Sequence, residues 1–159
     1  MDLGLKNKIA LVAASSKGLG YGIAEALAQD GAKVWLGSRT EADIKAAAQR
    51  LGQETGSEAV GYVLDATDAQ SITAWVEAGL NHFGRIDCLV VNAGGPPAGN
   101  FDDFNDDDWQ AAFELTLLSS ARMIRAVLPT MRRQGRGSIL AVTSASVKEP
   151  IDFLLLSAY

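Results

Sequence analysis

The strongest constraint in this chain is a rhythm in which a short apolar run gives way to a turn and then to a stretch with helical spacing. The runs are Lys8-Ile9-Ala10-Leu11-Val12-Ala13, Lys33-Val34-Trp35-Leu36-Gly37, Ala59-Val60-Gly61-Tyr62-Val63-Leu64, Ile86-Asp87-Cys88-Leu89-Val90-Val91 and Ser138-Ile139-Leu140-Ala141-Val142-Thr143. Near-continuous apolar runs of this length fit parallel strands buried on both faces. Between them, Leu19, Ile23 and Leu27 fall four apart beside Ala24 and Ala28, which predicts the inward face of a first helix. Gly31 is placed to end that helix in a left-handed conformation. Thr40 is expected to cap a second helix running to about Gly52, and Asp68 a third carrying Ile72, Trp75, Val76 and Leu80. A loop from Gly94 to Asn100 leads to a long helix, about Asp107 to Gln134, whose expected inward stripe is Phe113, Leu117, Ala121, Ile124, Leu128 and Met131. Strands alternating with helices predict an α/β fold with a parallel sheet and helices on both faces. Right-handed crossovers then force a doubly wound layout.

Residues 1–159 are long enough to bury one core, and no internal boundary or low-complexity segment divides them. The formal net charge of −5 argues against nucleic acid as a partner. No apolar stretch is long enough to span a bilayer, and the first residues lack the apolar centre of a signal peptide. No membrane partner is therefore expected, and the cytoplasm is the expected location. Cys88 is the only cysteine, so an intrachain disulfide is impossible and a metal cage is not expected.

In sheets of this kind, ligands bind beyond the carboxyl ends of the strands. The first run ends in Ala14-Ser15-Ser16-Lys17-Gly18-Leu19-Gly20. Glycines there let the backbone approach a pyrophosphate, and a helix start offers N–H groups and a positive dipole end. The second run ends in Ser38-Arg39-Thr40, where an acidic residue would hold the 2′-hydroxyl of NAD. An arginine suits a 2′-phosphate instead, and Lys17 is placed to reach the same group, so NADP(H) is the expected cofactor. The third run ends in Asp65-Ala66-Thr67, with Asp65 a candidate acceptor for the adenine amino group. The fourth ends in Asn92-Ala93-Gly94, small residues that let a cofactor pass close to the backbone. The fifth ends near Ser144 and Ser146, hydroxyls placed where a carbonyl substrate would sit.

These residues resemble the short-chain dehydrogenase/reductases, and the resemblance runs from about Lys6 to Tyr159. Its most specific part is Asn92-Ala93-Gly94 directly after the fourth run. Gly18-Leu19-Gly20, Asp65, Trp109 and Gly137-Ser138-Ile139 leading to Thr143-Ser144 support it. The resemblance implies a Rossmann-type dinucleotide-binding domain that interconverts a carbonyl and an alcohol on a small molecule by hydride transfer. It implies Ser144 as the group holding the substrate oxygen and Tyr159 as the acid/base. It also implies pairing into homo-oligomers through the long helix 107–134.

The sequence departs from the family pattern in four places. Ala14 replaces the first glycine of the turn, and Thr116 replaces an Asn that supports a proton relay. Tyr159 lies fifteen residues after Ser144, where the family usually has thirteen. Either the loop from Val147 to Phe153 carries an insertion, or Ser146 is the working serine, or Tyr159 is not catalytic; the first is favoured. Finally, a lysine four residues after the tyrosine normally lowers its pKa. The sequence ends at Tyr159, so the chain is expected to stop after strand five and, as it stands, to lack turnover. An unassisted tyrosine has a pKa near 10. A second reading, a dinucleotide-binding or interaction module without catalysis, fits that absence. A methyltransferase on a similar sheet is disfavoured by Arg39 and by Asn92-Ala93-Gly94.

His82, Cys88, the three tryptophans and the acidic cluster Asp102, Asp103, Asp106, Asp107 and Asp108 have plainer readings. The first is a helix-terminal residue, the next is core, the tryptophans pack, and the acids cap and charge the start of the long helix.

Overall fold

The computed structural model describes residues 3–149 and 151–158. Five strands form one parallel sheet: β1 (Ile9–Val12), β2 (Lys33–Ser38), β3 (Ala59–Val63), β4 (Cys88–Val91) and β5 (Ser138–Ala141). Their order is β3-β2-β1-β4-β5, so the chain runs outward from β1 in one direction and then returns to continue in the other. This is the doubly wound topology, and its switch point lies between β1 and β4. The helices are α1 (Gly18–Gln29), α2 (Glu41–Thr55), α3 (Ala69–Phe83), α4 (Asp106–Phe113) and α5 (Ser119–Gln134). A π-helical turn, Glu114–Leu118, joins the last two into one long rod.

Strand alternation sorts the core into two layers. Leu11, Trp35, Leu89 and Val91 point to the α3/α5 side and meet Ile72, Trp75, Val76, Met123 and Val127. Val12, Val34, Leu36 and Val90 point to the α1/α2 side and meet Tyr21, Ala24, Ile44 and Leu51. Leu11 pairs with Trp35 on one side and with Leu89 on the other, so the most buried strand sits at the centre. Each such fully buried side chain contributes roughly 2 kcal/mol of transfer free energy.

Two of the expected helix faces are met in part: Ala24 and Ala28 of α1 and Met131 of the long rod are buried as expected, and the rest of each face is displaced. In α1 the buried residues are Gly20, Tyr21, Ala24 and Ala28, while Leu19 is 64% exposed. In the long rod the buried residues are Ala112, Ser119, Met123, Val127, Thr130 and Met131, while Leu117 is 51% exposed. The true face lies one residue, about 100° of rotation, from the stripe read off the large apolar side chains. In α1 the seam against the sheet is mostly small, Gly20, Ala24 and Ala28 beside Tyr21, whereas in the rod Met123, Val127 and Met131 fill it beside Ser119. Buried Ser119 fits that seam because its hydroxyl donates to the Leu115 carbonyl at 2.5 Å.

Helix ends follow local chemistry. Gly56 and Gly84 close α2 and α3 in the left-handed region, so α2 runs three residues beyond the expected Gly52. Asp68 caps α3 by accepting from the Gln70 N–H at 2.9 Å, as expected. Thr40 occupies the cap position of α2 but its side chain makes no capping bond. At α4 the cap is Asn105, with Asp108 returning the bond to the Asn105 N–H at 2.9 Å.

Candidate active site

The carboxyl ends of β1, β2, β3, β4 and β5 all open on one edge of the sheet, and the singled-out residues gather there. The turn after β1 is stitched from below. Ser15 is fully buried; its hydroxyl donates to the Val12 carbonyl at 2.7 Å and accepts from the Gly37 N–H at 3.1 Å. Its side chain therefore fixes the turn to β2 rather than facing outward. Ala14 is held at φ +48°, a left-handed conformation that favours glycine. Gly18 turns the chain at φ +60°, with open space where a side chain would stand. Gly20 is needed for a different reason: a Cβ there would collide with the Ala14 carbonyl and come within 2.8 Å of Asn92 Nδ2.

Asn92, at the end of β4, completes this unit. Its amide nitrogen donates to the carbonyls of Ala13 and Ala14 at 3.4 and 3.3 Å. The asparagine thus braces the strained turn across the switch point. Lys17 is the cap residue of α1 and makes no side-chain cap bond, so the first N–H groups of α1 face the open front of the turn beside Ser16. Ala93 is half-buried, and Gly94 beside it is exposed with open space around its Cα.

At the ends of β2 and β3 the structure brings Ser38, Arg39, Asp65 and Ala66 together. Asp65 Oδ1 accepts from the Thr67 hydroxyl at 2.7 Å and from the Thr67 N–H at 2.9 Å. The Thr67 hydroxyl and then its N–H hold the Asp65 carboxyl below the usual carboxylate range, and the positive charge of Arg39 acts in the same direction. Arg39 is exposed and forms no ion pair among the described residues. Ser38 Oγ is buried without a hydrogen-bond partner among the described residues. Thr67 was not singled out in the sequence, although Asp-x-Thr is a recognisable turn pattern. Arg122 ties this corner to the long rod, donating to the Thr67 carbonyl at 3.1 Å and to Glu114 at 2.8 Å.

After β5, Ser144 is exposed and precedes a short 3-10 turn, Ala145–Val147. Ser146 is buried two residues on. Tyr159 lies outside the described residues. Thr116, in the π-helical turn, donates its hydroxyl to the Ala112 carbonyl at 2.7 Å, which commits it to the helix backbone.

Two residues set aside in the sequence lie elsewhere. His82 pairs with Glu58 at 2.9 Å at the opposite edge of the sheet, where Lys33 also meets Glu58. Cys88 sits in β4, where burial and then the charge of Asp87 push its thiol up. Among the described residues no helix is long and apolar enough to cross a membrane.

The residues present fit a dinucleotide: a turn opened by Gly18, an uncapped helix start, and a cation beside a carboxylate at the ribose end. The comparisons agree with that geometry. A family model for short chain dehydrogenases matches residues 8–159. The chain belongs to the short-chain dehydrogenase family. It is 42% identical over 147 residues to a Streptomyces virginiae protein assigned as a monensin polyketide synthase ketoacyl reductase, covering 91% of this chain and 56% of that one. It is 36% identical over 151 residues to dehydrogenase/reductase SDR family member 4 of Oryctolagus cuniculus, covering 94% and 58%. Among solved structures, the L-sorbose reductase of Gluconobacter frateurii, complexed with NADPH and L-sorbose, superposes with a TM-score of 0.94. That match has 30% identity over 99% of this chain and 60% of the reductase. The chain therefore spans somewhat more than half the length of the relatives it matches.

Proposed function

We propose that this chain forms the nucleotide-binding part of an NADP(H)-dependent oxidoreductase that interconverts a carbonyl and an alcohol on a small molecule. The observation that carries the reading is the end of β2: Arg39 stands there, exposed and without an ion pair among the described residues, in electrostatic reach of Asp65. A 2′-phosphate would meet Arg39 and Lys17, while a bare 2′-hydroxyl would find no carboxylate on β2 to accept its hydrogen bond. Ser16, Gly18, Leu19 and Gly20 would line the pyrophosphate, held in shape by Ser15 from beneath. Ser38 would border the ribose, Asp65 and Ala66 the adenine. Asn92, Ala93 and Gly94 would line the path toward the nicotinamide. That the L-sorbose reductase structure holds NADPH supports the choice of cofactor.

When bound, the nicotinamide supplies or accepts the hydride. The chain's own groups handle the oxygen and its proton. Ser144 donates a hydrogen bond to the substrate oxygen, where negative charge grows as the carbonyl is reduced. Tyr159 passes the proton to that oxygen, or removes it in the reverse direction. The long helix 107–134, on which Leu117 is exposed, would pair subunits of a homo-oligomer.

The test is cofactor discrimination by titration calorimetry. NADPH should bind about tenfold to a hundredfold more tightly than NADH, the worth of one or two charge-assisted hydrogen bonds to phosphate. Arg39→Asp should erase or reverse that ratio. Equal affinities in the parent protein would overturn the assignment of NADP(H).

A further inference from the structure

The two serines after β5 are not equivalent. Ser144 is exposed, whereas Ser146 is 4% exposed and lines a cavity of about 270 Å3 shared with Phe101, Ile151 and Phe153. The backbone N–H of Ser146 donates to Ser144 Oγ at 3.2 Å, and the two hydroxyl oxygens share a hydrogen bond at 2.7 Å whose proton either serine can supply. A serine oxygen offers two acceptor positions and one proton. When Ser146 supplies the proton of the shared bond, both acceptor positions of Ser144 are taken from the buried side, and the bond left to Ser144 is the one it donates, toward its exposed side.

We infer that Ser146 is a positioning residue that locks Ser144 as an outward-pointing hydrogen-bond donor to the substrate oxygen. The inference rests on the role proposed above for Ser144. It also separates the two serines: Ser144 touches the substrate and Ser146 acts through it. The cavity wall beside Ser146 is held by a second contact, since the Gly99 N–H donates to the Phe153 carbonyl at 2.6 Å and Gly99 bridges to Leu154. That bridge joins the loop after β4 to the segment after β5. The opposite arrangement, with Ser144 donating into Ser146, would consume the proton the substrate needs. The two arrangements predict opposite effects when the Ser146 hydroxyl is removed.

Neutron diffraction from crystals of the full chain exchanged into D2O reads the arrangement without any turnover. The deuteron of Ser146 should lie on the line to Ser144 Oγ, and that of Ser144 should point away from Ser146. A Ser144 deuteron directed at Ser146 would overturn the inference. Kinetics with NADPH and ethyl acetoacetate, on the chain completed to the length of the relatives it matches, supply the second arm. Ser146→Ala should lower kcat about tenfold at unchanged KM, the worth of one oriented hydrogen bond. Ser146→Thr, which keeps the hydroxyl beside the cavity, should recover to within about twofold of the parent. An unchanged or raised kcat in Ser146→Ala overturns the positioning role. Ser144→Ala without loss would instead remove the reading of Ser144 itself, so the two failures are distinguishable.

Discussion

β1 and β5 are written in nearly the same alphabet, Ile-Ala-Leu-Val against Ser-Ile-Leu-Ala, and they meet opposite fates. All four residues of β1 are buried, and all four of β5 are exposed, with Leu140 at 52%. β1 has a strand on each side and a helix layer on each face; β5 pairs only with β4 among the described residues. The same contrast divides the site. The corner built from the ends of β1, β2 and β3 is braced by Ser15, Asn92 and Thr67. Ser144 stands on an exposed segment, where its side chain meets Ser146. An apolar strand is thus a request for cover, and its neighbours decide whether the request is met.

The largest test of the contrast is Gly20→Ala. The new methyl group would enter the space of the Ala14 carbonyl and Asn92, and overpacking of this kind costs about 3 kcal/mol. Denaturant unfolding should register that loss, and calorimetry should show nucleotide affinity falling with it. A comparable result at exposed Gly94 would mean that the two regions are not as different as the packing implies.

Next comes Asp87, at the foot of β4. Its buried carboxylate accepts from the Ile9 N–H at 3.0 Å and pairs with Arg85, joining the feet of β1 and β4. Burial pushes the Asp87 pKa up, but the Arg85 pair and the Ile9 N–H outweigh it and leave the carboxyl below its usual range. A folded-state pKa below the unfolded value of about 3.9 gives stability that is present above that value and lost as pH falls through the folded one. Asp87→Asn should cost about 2 kcal/mol at neutral pH. The difference from the parent should shrink below about pH 4, as followed by thermal melts. A constant difference down to pH 2 would separate Asp87 from the acid response.

Ala14→Gly should act in the other direction. Relief of a left-handed alanine is worth about 1–2 kcal/mol, of which the extra freedom glycine gives the unfolded chain takes back about 0.4–1 kcal/mol. A rise in the denaturant midpoint at constant slope is the expected result; a fall would mean that the turn carries no strain.

The smallest effect on stability belongs to β5. Leu140→Lys should shift unfolding by less than about 0.5 kcal/mol, because the side chain is already exposed. It should nevertheless reduce concentration-dependent association of the 159-residue chain in sedimentation velocity, since charge on an open apolar edge opposes pairing. Marked destabilisation would show that Leu140 is covered in solution.

The alternation of runs and helices, the parallel sheet and the placing of Gly18, Arg39, Asp65, Asn92 and Ser144 at strand ends were all legible in the sequence. These features are local: strand period, turn chemistry and residue type fix them within a few positions. What the sequence left open was which neighbour each residue would meet. The inward faces of α1 and the long rod are centred one residue away from the stripes of large apolar side chains: Gly20 and Tyr21 join Ala24 and Ala28 in α1, and Ser119, Met123 and Val127 carry the rod. Thr40 fills a cap position without capping, and Ser15 turns inward where an outward role was expected. Spacing from Tyr159 did not tell Ser144 from Ser146; the packed chain leaves Ser144 exposed and buries Ser146. Periodicity constrains a residue to a face; burial and hydrogen-bond direction depend on atoms tens of residues away, such as the 78 positions between Asn92 and Ala14, and only the packed chain sets them.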